Sequence, residues 1–165
     1  MAAISMYNAS MPALVRMMKN LLAIIAKAEA MPDAPKLLEA RLAPDMHPLM
    51  RQFQSVSDTA KFGAARLAGQ TAPAFPDTET TFAEIKDRLQ KTIDYVESVD
   101  PSAIDGSEER EVVLKFPNGQ MNFTGLDYLN TFLLPNFYFH CTTAYAILRN
   151  NGVGLGKMDF LGRPE

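Results

Sequence analysis

The sequence LNTFLLPNFYFHCTTAYAILRN, residues 129–150, decides the fold. Apolar residues recur in it at alternating spacings of four and three, which is typical of a helix with a buried face. Two such stripes lie on different sides of this segment, so we expect neighbours to cover both. Pro135 is predicted to bend the helix, because proline removes one backbone hydrogen bond. The first stripe comprises Leu129, Leu133, Asn136, His140, Thr143 and Ile147, and the second comprises Leu134, Tyr138, Cys141, Tyr145 and Leu148.

Three more segments with helical periodicity precede this one. Asp45 is the expected N-cap of the second helix, Gly69 is placed to end that helix, and Thr81 opens a capping box for the third. The charged residues of the third helix, including Arg88, are predicted to lie in solvent. Four long helices with short connections predict an all-α four-helix bundle that forms a single domain over residues 1–165. The predicted helices are at about 7–30, 45–69, 81–96 and 124–150, with a hairpin at about 111–123 and a loosely structured tail at about 153–165.

A small β-hairpin is predicted between the third and fourth helices, where the period changes from helical to alternating. The Asn-Gly pair at 118–119 is a strong hairpin signal. If these residues form the turn, Phe116 faces Met121. In the same register, Leu114 faces Phe123 on the same side. A lone hairpin is marginally stable in water, so we expect these four side chains to be buried against helices.

Composition excludes several classes of protein. The chain has 165 residues, 16 basic and 19 acidic side chains and a net charge of −3, which argues against a nucleic-acid-binding surface. One cysteine excludes a disulfide framework, and two histidines exclude a self-contained three-histidine metal site. No apolar run approaches the roughly 18 residues of a membrane span. The first residues are neither basic nor apolar enough for a signal peptide, so we expect a cytoplasmic protein without a membrane partner.

The fourth helix places polar residues within an apolar stripe. Asn136, His140 and Thr143 follow its four-three spacing, and polar groups in such a position must be hydrogen-bonded or hydrated. One interpretation is a buried polar network that fixes the helix register. The other is a ligand pocket or a degenerate metal site. On the second helix, the same phase argument directs Asp45 inward, as a partner of His140, and His47 outward.

Six segments resemble an uncharacterised bacterial and fungal domain family, a branch of the DinB/YfiT-like superfamily of four-helix bundles. The similarity runs over nearly the whole chain. It is carried by SMY (5–7), KNL (19–21), RLAPDM (41–46), DTETTF (77–82), LPNFYFH (134–140) and TAYAILR (143–149).

The resemblance implies a bundle that is often dimeric, with a pocket at one end. Many members of the superfamily bind a divalent metal through one histidine on the second helix and an HxxxH pair on the fourth, and some are thiol transferases or hydrolases. In this chain Asn136 stands at the first position of that pair and His140 at the second. Asparagine is a poor ligand for zinc or nickel. At best, Asp45 and His140 would be good ligands, with Asn136 or His47 as a weak third.

We therefore expect a non-catalytic or cryptic small-ligand-binding bundle with a degenerate metal site. One alternative is a divalent-metal-dependent transferase or hydrolase, in which a metal-bound water is the nucleophile. Another is a structural dimerisation module. The second stripe of the fourth helix carries Tyr138 and Tyr145, which suit an interface, so we also expect a homodimer.

Overall fold

The computed structural model describes residues 4–162 and confirms a helical bundle with an inserted hairpin. A π-helical turn directly precedes the last long helix. The long helices are α1 (Met11–Glu29), α3 (Leu49–Ala68), α4 (Phe82–Ser98) and α7 (Leu134–Asn150). The short elements are α2 (Ala34–Leu37), α5 (Pro101–Ile104), β1 (Val112–Phe116), β2 (Gly119–Phe123), α6 (Gly125–Asp127), the π turn (Tyr128–Leu133) and α8 (Lys157–Leu161).

The core forms where the predicted apolar stripes meet. In α1 the residues at four-three spacing from Met11 to Ala28 are all buried, as predicted, and α3 packs against both α4 and α7. The capping box at Thr81 is confirmed, and Gly69 ends α3 with a φ of 67°. Within residues 4–162, no helix combines the length and the apolar character needed to cross a membrane.

Helices α3 and α4 run in the same direction. The side chain of Arg110 donates to the carbonyl of Leu67, at the end of α3, and to that of Ala103, just beyond α4. The two helices therefore finish at the same end of the bundle. By contrast, α7 is antiparallel to α3, because its residue numbers fall as those of its partners on α3 rise.

The connection between α3 and α4, residues 69–81, must return along the bundle. Helix α3 has 20 residues and is about 30 Å long. Residues 69–81 reach about 40 Å when they are extended, so they can span the length of that helix. Along it, Phe75 packs on Lys61, and Asp77 then pairs with Arg51 a few turns closer to the start of α3. This connection is longer than the short connections expected of the bundle, because parallel neighbours need a crossover.

The predicted distortion at Pro135 takes the form of the π turn. The backbone N–H of Leu134 donates to the carbonyl of Leu129, five residues back, instead of four. Pro135 has no N–H and its ring crowds the preceding turn, so a wider turn accommodates it. Helix α3 approaches the π turn closely, because a Cβ on Gly63 would clash with the side chain of Leu133.

The hairpin forms, but its predicted register is wrong. Leu114 pairs with Met121 and Phe116 with Gly119, so the turn is at residues 117–118, one position earlier than predicted. Pro117 explains the shift, because its fixed φ suits a turn position and its missing N–H does not suit a ladder.

Only the base of the hairpin is covered by the bundle. Leu114 is buried, as predicted, whereas Phe123 is only partly buried. The prediction is wrong for Phe116 and Met121, which are 48% and 45% exposed. The hairpin therefore projects past the helices, and its tip presents apolar side chains to solvent.

The second stripe of α7 is largely covered within the chain. Cys141 and Leu148 are fully buried, and the ring of Tyr145 packs edge-on against Phe160 of α8 at 5.8 Å between centroids. The predicted loose tail thus contains a short helix that packs on α1 and contacts α7 through Phe160, and its residues 163–165 lie outside the described residues. The homodimer remains a prediction. Because the chain itself covers most of the second stripe, that stripe is weaker support for a partner subunit than the sequence indicated.

Candidate functional site

His140 is held in one tautomer by the α3 side chain Gln52. His140 Nδ1 lies 2.8 Å from Gln52 Oε1, and Gln52 Nε2 donates to the carbonyl oxygen of His47 at 3.0 Å. Because the amide nitrogen is used as a donor, Oε1 is the acceptor, and Nδ1 must carry the proton. The lone pair of His140 is therefore on Nε2, for which no hydrogen-bond partner is present between residues 4 and 162.

The surroundings of His140 keep its ring neutral. Partial burial lowers its pKa below the ordinary value, and the nearby positive charges of His47 and Arg51 lower it further. At neutral pH the ring thus offers a hydrogen-bond acceptor at Nε2.

Asn136 lies one turn before His140 and also bonds to α3. Its Nδ2 donates to Thr59 Oγ1 at 3.0 Å, which leaves its amide oxygen as a spare acceptor. We call Gln52, Thr59, Asn136 and His140 the polar seam. Thr143 is buried but not part of it, since its hydroxyl donates to the carbonyl of Phe139 in its own helix.

The structure corrects the predicted role of Asp45. Helix α3 begins at Leu49 with Pro48 at the N-cap position, so Asp45 caps nothing there and is exposed. The helical phase used to direct it inward does not extend before residue 49. His47 is exposed, as predicted, although its charge still acts on His140.

Sequence reasoning missed Gln52 and Thr59 because it sought a charged partner for His140. A signal was present: both residues fall at four-three spacing from Val56, which is fully buried on α3. Polar residues at matching positions on two helices predict a hydrogen-bonded seam between them.

The burial of Arg88 is the second feature that the sequence analysis did not predict. The prediction that it lies in solvent is wrong, since its side chain is only 2% exposed. It donates to Asp58 at 2.8 Å and to Glu79 at 3.0 Å, and it pairs with Asp77 at 3.0 Å. It therefore fastens residues 76–79 of the long connection to α3 and α4.

A cavity of about 170 Å³ adjoins the Asn136 end of the polar seam. Arg66, near the end of α3, contributes its guanidinium to the wall. Aromatic rings supply much of the remaining surface, and the seam supplies hydrogen-bonding atoms. The lining includes Thr59, Phe62, Arg66, Tyr128, Phe132 and Asn136.

A family model described as "Domain of unknown function (DUF1993)" matches residues 6–161. The chain belongs to the DUF1993 family. It is also similar to a solved structure, the crystal structure of a DinB family member from Shewanella denitrificans, with 40% identity and a TM-score of 0.87. That match covers 96% of this chain and 92% of the other. No curated protein matches the chain at a significant level. The DUF1993 chain is thus a DinB-like bundle, as the resemblance implied.

The donor set of this DUF1993 protein does not fit a resident divalent metal. Among the described residues, no three His, Cys, Asp or Glu side chains come together as a possible metal site. His47 and His140 are the two imidazoles, and the amide nitrogen of Asn136 is committed to Thr59. The guanidinium of Arg51 adds a positive charge near His140, which disfavours a second cation there. The metal pattern of the superfamily is therefore incomplete in these residues.

Proposed function

We propose that this DUF1993 protein is a non-catalytic bundle that binds a small ligand at the polar seam. The supporting observation is the incomplete hydrogen bonding of two side chains on α7. His140 Nε2 and Asn136 Oδ1 are spare acceptors one helical turn apart, and Asn136 lines a cavity between α3 and α7. A network that served only to fix the helix register would use both ends of these side chains within the protein.

The groups at hand favour binding over catalysis. Cys141 is fully buried, and burial raises the pKa of its thiol well above the ordinary value, so it is a poor nucleophile. The incomplete metal set gives no position for an activated water. The neutral His140 ring can accept a hydrogen bond at Nε2 from a bound molecule.

Ligand-detected and protein-detected NMR with a library of small polar fragments tests this function. We expect some fragments to shift the resonances of His140 and Asn136, and the substitution H140Q to weaken their binding. H47Q is the matched control, because the His47 side chain is exposed and the hydrogen bond of His47 to the seam is made by its backbone carbonyl, which the substitution keeps. If no fragment perturbs the seam, the residues have a structural role and the proposal is wrong.

A metal titration separates the alternative enzyme from the binding protein. We expect no tight stoichiometric complex with zinc or nickel by isothermal titration calorimetry. A tight one-to-one complex that H140Q abolishes would overturn the proposal in favour of a metal-dependent transferase or hydrolase.

A further inference from the structure

Arg66 is a half-buried cation with most of its hydrogen-bonding capacity unused. Its guanidinium carbon lies 5.1 Å from the ring centre of Phe62 and 5.7 Å from that of Tyr128. Its Nη1 donates to the hydroxyl of Tyr128 at 3.0 Å. Within residues 4–162 no carboxylate pairs with it, and the other four of its five N–H donors have no protein acceptor.

The acid nearest this cavity does not compensate the charge of Arg66. Asp58 also lines the cavity, but it accepts from Arg88 at 2.8 Å and pairs with Lys61 at 3.1 Å. Both of those cations have side chains only 2% exposed, so they hold the carboxylate in place. The cavity therefore has one uncompensated positive charge, supplied by Arg66.

Two other polar groups of the cavity, the hydroxyls of Thr59 and Tyr128, are donors. Thr59 Oγ1 accepts from Asn136, and the hydroxyl of Tyr128 accepts from Arg66, so each keeps its own proton to donate. Burial raises the pKa of Tyr128, which keeps that phenol protonated. An uncompensated guanidinium with two hydroxyl donors is complementary to an anion.

We propose that the cavity binds a small planar monocarboxylate, with the carboxylate on the Arg66 guanidinium and its flat body against Phe132. This inference rests on the proposed function and adds the class of ligand. A planar carboxylate matches the donor fork of arginine, whereas a phosphate dianion calls for a second cation, and Lys61 is already paired. The volume of about 170 Å³ is below the roughly 300–1,000 Å³ of drug-sized pockets, which favours a small molecule.

Benzoate and its neutral isostere benzamide are the probes. We expect benzoate to shift the resonances of Thr59 and Asn136 and to bind about tenfold or more tightly than benzamide, since only benzoate forms charge-assisted hydrogen bonds. R66Q should remove this preference, and R66K, which keeps the charge but loses the fork, should reduce it. R149Q, at an exposed arginine of α7, should leave the preference intact.

The outcomes separate the two proposals. Equal binding of benzoate and benzamide, or an unchanged preference in R66Q, would overturn the carboxylate assignment while the ligand cavity stands. Tighter binding of inorganic phosphate than of benzoate would also overturn it. If neither probe nor any fragment reaches the cavity, the proposed function is wrong as well. Comparing the two probes on the wild-type protein needs no variant, so a misfolded variant would not obscure the answer.

Discussion

Replacing Arg88 with methionine should destabilise the protein more than any other change on the polar face of α4. Methionine keeps much of the apolar stem but removes the charge that three carboxylates share. Those carboxylates belong to Glu79, Asp58 and Asp77, and their side chains are 11%, 26% and 39% exposed. Glu79 is the most buried of the three, so the loss of the Arg88 cation destabilises its ionised carboxylate most.

The magnitude follows from this burial. Removing one partner of a buried ion pair costs about 3–5 kcal/mol. Each carboxylate keeps a second partner, and Asp77 is exposed enough for solvent screening to discount its share, so we expect the low end, about 3 kcal/mol. For a chain of this size, that corresponds to a decrease of about 6–12 °C in the melting temperature.

Urea denaturation followed by circular dichroism, with calorimetry for the melting temperature, measures the effect. K91Q is the matched control, one turn further along α4, because Lys91 pairs with Asp87 where both side chains are about 60% exposed. The control should change stability by less than about 0.5 kcal/mol. If R88M unfolds at the same urea concentration as K91Q, the contacts of Arg88 contribute nothing and the reasoning is refuted.

Three further predictions concern the site, the hairpin and association. Because the folded pKa of His140 is lowered below the ordinary 6.5, stability should fall as the pH decreases from 6.5 through that folded pKa. Urea midpoints between pH 7.5 and 5 should decrease more steeply for the wild type than for H140Q, and parallel curves would contradict this. In the hairpin, L114A should cost about 2–4 kcal/mol, whereas M121A, across the strand from it but exposed, should cost less than about 1 kcal/mol; equal losses in urea denaturation would show that the tip is covered in solution. We expect a homodimer by sedimentation velocity, and a mass near the 18.2 kDa of one chain at micromolar to hundred-micromolar concentrations would rule it out.

The sequence determined the features that depend on local periodicity and backbone chemistry. The apolar stripe of α1, the capping box at Thr81 and the glycine C-cap of α3 all follow from residues within a few positions of one another. The polar positions Asn136 and His140 were also identified correctly as a point where α7 meets another helix.

Tertiary structure decided which elements come together, and hence which side chains are partners. The parallel course of α3 and α4 forces the connection between them back along the bundle, and the packing of the two helices brings Asp58 to Arg88, where Glu79 of the connection joins them. A surface-like charge on α4 thereby becomes a buried one. Likewise, because α3 starts at Leu49, Asp45 lies in solvent and the hydrogen-bond partner of His140 is Gln52. The pairs Asp58–Arg88 and Gln52–His140 join residues 30 and 88 positions apart, so they depend on helix direction and end points, which the local pattern of a single segment does not specify.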